Sequence, residues 1–161
     1  MNWQLYQTVA LPYSTSYGPQ HIEGDVARCY SHDPVGALFA ASQIGARYLI
    51  APNWQAVVSR QVVDNAGRTK FSSLRQAAGN PGGNQPGDYQ QLSGFKFVTY
   101  SPSAAVVELV SKSSTGVMQA TDATVEWIGD DWKLQLQLDG SESPSALPVS
   151  SLVGYSPWSG V

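Results

Sequence analysis

The chain has 161 residues, of which 42% are hydrophobic and only 13% charged, with a formal net charge of −3. That length suits one domain and the apolar share suits one core. The nine Lys and Arg residues are scattered, which excludes the clustered basic face that nucleic-acid binding requires.

With charge well below the roughly 25% usual for soluble proteins, the polar surface must come from Ser, Thr, Gln and Asn. Such neutral surfaces are common outside the cytoplasm. No run approaches the ~20 apolar residues of a membrane span. No basic segment and apolar run follow Met1, the pattern of a signal peptide. Two settings therefore stay open, a cytoplasmic protein and an ectodomain whose N-terminal membrane anchor is missing. Cys29 is the only cysteine, so no internal disulfide forms, and it reads as a small buried hydrophobe.

Residues 1–31 are expected to form an extended N-terminal strap. Leu11-Pro12-Tyr13 and Tyr17-Gly18-Pro19 break any helix, and Trp3, Tyr6, Tyr13 and Tyr17 would lay the strap on the body of the domain. An α+β core follows over residues 32–139. Its first helix starts at Pro34, capped by Asp33, and runs to about Ile50, with Leu38, Ala41, Gly45 and Tyr48 at helical spacing. A second is predicted over 54–63, capped by Asn53, and a third over 68–78, with Phe71 and Leu74 on one face. Residues 79–88 are too rich in Gly and Pro for regular structure, and no Gly-Lys-Ser/Thr follows to make a phosphate loop.

From Phe95 the period changes to two. Strands are predicted over 95–100, 105–111, 117–128 and 131–138. Gly129-Asp130 suits a two-residue turn, which pairs Trp127 with Trp132, Val125 with Leu134 and Ala123 with Leu136 on one face. The other face then pairs Glu126 with Lys133, Thr124 with Gln135 and Asp122 with Gln137. One register thus sorts apolar from polar and matches an opposite-charge pair. Residues 140–161 are expected to be an extended C-terminal tail packed on the core, anchored by Leu147, Val149, Leu152, Val153, Tyr155 and Trp158. The fold class expected is α+β, with three N-terminal helices on a curved antiparallel sheet.

Groups that carry chemistry are few. His21 has no motif around it, and His32 reads as a loop histidine before a helix. Cys29, His32 and Asp33 are close in sequence, but catalytic partners are assembled by the fold and not by local proximity. No spacing typical of zinc or calcium ligands occurs. Asp130 and Asp131 read as turn residues, Asp122 and Glu126 as solvated. No catalytic, cofactor-binding or metal-binding residue is assigned, and no cofactor is expected.

The stretch Tyr30-Ser31-His32-Asp33-Pro34-Val35-Gly36-Ala37-Leu38-Phe39-Ala40-Ala41 resembles the helix opening of a family of uncharacterised actinobacterial proteins. Gly94-Phe95-Lys96-Phe97-Val98-Thr99-Tyr100-Ser101-Pro102 and Val125-Glu126-Trp127-Ile128-Gly129-Asp130-Asp131-Trp132-Lys133-Leu134 resemble two further segments of it, as do Trp3 and Ala10-Leu11-Pro12. The chain departs from the pattern at Asp33, where Thr is usual, and at Asp130-Asp131, where Gly-Asp is usual. The resemblance implies an extracytoplasmic, nuclear-transport-factor-2-like (cystatin-like) cone, an N-terminal anchor, and a place in mobile elements and in conjugation or secretion loci. It assigns no catalytic residue.

The expected function is a non-catalytic protein-interaction or scaffold domain with protein partners, displayed outside the membrane. A small-molecule pocket enzyme is the alternative, with His32, Asp33 and Tyr100 as first candidates, and a phage or virion structural protein is a third. A homo-oligomer built on the outer sheet face would use Lys133, Gln135, Gln137, Thr124 and Glu126, a polar surface that fits a weak, wet dimer.

Overall fold

The computed structural model describes residues 1–79, 90–144 and 146–161. Four short strands come first: β1 (Asn2–Tyr6), β2 (Val9–Tyr13), β3 (His21–Glu23) and β4 (Val26–Arg28). They form two hairpins, β1 with β2 and β3 with β4. Gln7 takes a positive φ of 54° in the first turn and Gly24 one of 60° in the second. Pro12 is tolerated opposite Trp3 because this ribbon has only two strands.

The helices occupy the middle of the chain: α1 (Pro34–Ile50), α2 (Trp54–Gln61) and α3 (Ala66–Ala78). Each starts on a short polar side chain that accepts a free first-turn amide. Asp33 takes Gly36 N–H at 2.7 Å, Asn53 takes Ala56 N–H at 3.4 Å, and Asn65 takes Arg68 N–H at 2.9 Å. Six strands follow: β5 (Gln91–Tyr100), β6 (Ala104–Lys112), β7 (Met118–Ile128), β8 (Asp131–Gln135), β9 (Leu147–Val149) and β10 (Ser156–Pro157).

This order corrects the expected fold. Three N-terminal helices on a four-stranded sheet, the arrangement tied to the nuclear-transport-factor-2-like cone, is overturned. Two hairpins precede the helices, and the sheet has six strands. Trp3 and Tyr6 lie on β1 and Tyr13 on β2, while Tyr17 stands in the turn that follows. The expected Gly- and Pro-rich loop lies almost wholly outside the described residues.

The sheet runs β10-β5-β6-β7-β8, with β9 also on β7. Its helix-facing side carries Ala105, Val107 and Leu109 of β6, Ala123 and Val125 of β7, and Trp132 and Leu134 of β8, all buried in one core. Small residues on α1, including Ala37, Ala40 and Ala41, bring that helix close to it. The β7–β8 register is the one read from the sequence at Thr124–Gln135, Val125–Leu134, Glu126–Lys133 and Trp127–Trp132. Gly129 and Asp130 both have positive φ, 59° and 70°, as a primed hairpin turn demands.

The ladder ends at Thr124–Gln135, short of the two further pairs expected. The chain leaves the edge after Gln135, and Ser143 Oγ accepts the Asp122 N–H at 3.2 Å in place of a strand. β9 then returns to pair with Met118–Ala120. Part of this detour rests on α3 at Gly67, where a Cβ would stand 2.3 Å from the Gln137 carbonyl oxygen.

The hairpins are fastened through one buried cation. Arg47, only 2% exposed in α1, donates to Gln43 Oε1 (2.8 Å), the Asp25 carbonyl (2.9 Å) and Tyr13 Oη (2.8 Å). Its guanidinium lies 3.9 Å from the centre of the Tyr6 ring. Gln43 in turn donates to the Pro12 carbonyl at 2.7 Å. Asp25 accepts Tyr6 O–H at 2.7 Å and Asn53 N–H at 2.9 Å.

Because the hydrogen-bond partners of Arg47 are neutral, removing the cation strands acceptors without relieving a carboxylate. Arg47→Met is expected to lower the free energy of unfolding in urea by about 3 kcal/mol or more. A loss below about 1 kcal/mol would mean that apolar contacts alone hold the hairpins.

Candidate functional site

A cavity of ≈ 310 Å³ lies between α1 and the sheet. α1 presents Ser42, Gly45, Ala46, Leu49 and Ile50 to it, a stripe at i, i+3, i+4, i+7 and i+8 that forms one helical face. Small side chains at Gly45 and Ala46 leave the space unfilled. β2 adds Val9 and Leu11, and Leu92 of β5 adds another apolar wall. Leu49 and Gln90 are exposed and mark the rim.

The helix-facing side of the sheet turns polar here. Leu109 pairs with Thr121 and Ser111 with Gln119, and all four line the cavity. The last lining residue, Glu142, comes from the detour between β8 and β9. A Cβ on Gly45 would stand 2.8 Å from Glu142 Oε1, so the bare helix surface makes room for the carboxyl.

Glu142 is half-buried as a residue, and desolvation of its carboxyl pushes it up to about 8. Among the described residues no Lys, Arg or His lines the cavity with it. The Glu142 charge also helps raise Tyr48 of α1, after the larger effect of that phenol's own burial.

The residues singled out from the sequence gather elsewhere. His32 stacks on Trp127 at 3.8 Å between ring centres and 3° between planes, and meets the edge of Trp132. Its Nε2 lies within hydrogen-bond reach of the Pro102 carbonyl oxygen. Tyr100 lies by Trp132, and Asp33 is occupied as the α1 cap. This aromatic end of β7 is six residues from Thr121, roughly 20 Å along a strand. His21 lies in β3, opposite Arg28.

Cys29 is only half-buried, with φ 71°, and not the fully buried hydrophobe expected. Asp131 is more than a turn residue, since its carboxylate accepts Cys29 N–H at 2.8 Å and Tyr30 N–H at 3.1 Å. Asp122 is also not simply solvated. Desolvation first, then Glu108 beside it, raises its carboxyl. Glu108 is held low by the Tyr155 hydroxyl and Lys96, against some burial.

Glu142 was missed because nothing local marks it. It stands in Ser141-Glu142-Ser143 within a Ser- and Pro-rich segment, and only the end of β8 turns it inward. The one available signal is that it is the last acidic residue of the chain.

An acid whose folded pKa is raised binds more protons folded than unfolded between the two values. Stability must therefore fall as pH rises from about 4.3, the ordinary Glu value, to about 8, and level off above. Glu142→Gln is expected to remove a slope of up to about 1.4 kcal/mol per pH unit in that window, read by urea unfolding at several pH values. Parallel profiles for the two proteins would place the carboxyl in water.

No curated protein and no solved structure matches the chain. One family model matches residues 1–157. The chain belongs to that family, described as Domain of unknown function (DUF8175).

Proposed function

We propose that this chain is a non-catalytic binding domain whose cavity between α1 and the sheet takes a small, largely apolar molecule. The observation that carries this reading is a partly apolar cavity of ≈ 310 Å³ holding one half-buried carboxyl that desolvation raises. Ligand sites are typically concave, mostly apolar, about 300–1,000 Å³, with few polar groups to orient the guest. Acid–base catalysis would ask for a second group, to hold charge that develops on the substrate. Among the described residues the cavity offers only neutral polar side chains beside Glu142.

A second reading keeps the protein-interaction or scaffold role, and the edge of β5, unpaired beyond Phe95 among the described residues, favours it. β10 covers only Gly94 and Phe95, while residues 96–100 run on with Phe97, Val98 and Tyr100 exposed. Such edges pair with strands of other chains. Under this reading the partner is a protein or a second copy, within an extracytoplasmic secretion or conjugation assembly. No helix among the described residues is long and apolar enough to cross a membrane.

An apolar fluorescent dye tests the first reading. The wild-type protein is expected to take it up with its emission shifted to the blue. Ala46→Phe, which fills the cavity from α1, is expected to weaken uptake at least about tenfold with an unchanged circular dichroism spectrum. Equal uptake by both proteins would move binding out of the cavity. The second reading is checked by light scattering. It expects Val98→Pro, at the β5 bulge, to dissolve any dimer, and a wild-type monomer at every concentration would remove self-pairing.

A further inference from the structure

We infer that the guest of this cavity carries a protonated amine on a short apolar body, and that the amine docks against Glu142. The inference rests on the cavity reading above and adds the chemical class of ligand.

Three observations carry it. Glu142 is the only ionisable side chain among the described residues that line the cavity, and none of them donates a hydrogen bond to its carboxyl. Two of the hydroxyls beside it, on Ser42 and Ser111, spend their protons elsewhere. Ser42 Oγ donates to the Leu38 carbonyl at 2.8 Å, and Ser111 Oγ donates to Gln90 Oε1. Both therefore turn lone pairs, not protons, towards a guest. Thr121 and the Gln90 and Gln119 amides can donate as well as accept, so the site is a half-buried acid among neutral polar groups, inside partly apolar walls.

An ammonium group supplies what this lining lacks among the described residues: a positive charge to set against the carboxyl. An anion would meet a carboxyl and no cation among the described lining residues. A bare metal ion would ask for several oxygen or nitrogen ligands, and no cluster of three His, Cys, Asp or Glu side chains occurs among the described residues.

The proton balance is explicit. At neutral pH the free protein holds Glu142 mostly protonated, and the amine arrives as ammonium. Pairing ionises the carboxyl, and its proton leaves to the buffer, so one ion pair forms and about one proton is released. Tyr48 is the other titratable group that feels Glu142, and burial holds it neutral throughout.

The test is calorimetric titration of octylamine, octanol and octanoate into the wild-type chain near neutral pH, in two buffers of different ionisation enthalpy. Octylamine is expected to bind at least about tenfold tighter than octanol and to release close to one proton, with octanoate excluded. Glu142→Gln should bind octanol and octylamine alike, and Ala46→Phe should bind neither. Octanol binding as tightly as octylamine to the wild type, with both lost in Ala46→Phe, would overturn the amine and leave the cavity reading standing. An octylamine preference that survives Glu142→Gln would also overturn it. Failure of all three ligands to bind the wild type would overturn both.

Discussion

A guanidinium cannot shed its charge, so burying Arg47 obliges the chain to surround it with acceptors. Those acceptors come from three separate places: Gln43 one turn back on α1, the Asp25 carbonyl in the β3–β4 turn, and the Tyr13 hydroxyl at the end of β2. Misplacing either hairpin would leave a buried cation short of partners, a cost of several kcal/mol. Two hairpins that share little of the main sheet are thereby set against one helix. The consequence reaches the cavity, because the β2 held in this way supplies Val9 and Leu11 as its wall.

The far wall has a different origin. β8 stops at Gln135, and β9 regains the same edge of β7 only at Met118–Ala120. Had β8 continued, its side chains would have closed the edge. The detour instead leaves space and sends Glu142 into it, against the bare backbone of Gly45. A desolvated carboxyl with no cation among the described residues of the lining opposes folding at neutral pH.

Much of this fold was legible in the sequence, and the reasons differ by element. α1 announced itself through Asp33-Pro34 and small apolar residues, and β7–β8 through a register that sorted both faces at once. The β3–β4 hairpin carries the same Gly-Asp pair as β7–β8, at Gly24-Asp25 and Gly129-Asp130, though only Gly24 of the first pair has positive φ. It escaped notice because three residues on each side show no alternation to read. The β1–β2 turn is Gln7-Thr8, a pair without turn chemistry, so only its tertiary setting selects the positive φ at Gln7. The helices were therefore assigned to the N-terminus when they stand in the middle. The site was illegible for a further reason, since the inward turn of Glu142 depends on where β8 ends.

The most direct measurement is the titration of the Glu142 side-chain carboxyl followed by carbon-13 NMR, alone and with octylamine. A midpoint near 8 in the free chain, falling by several units with the amine bound, is the result this account predicts. A midpoint near 4.3, the ordinary Glu value, unmoved by the amine, would contradict it, because the carboxyl would then stand in water and not in a ligand cavity.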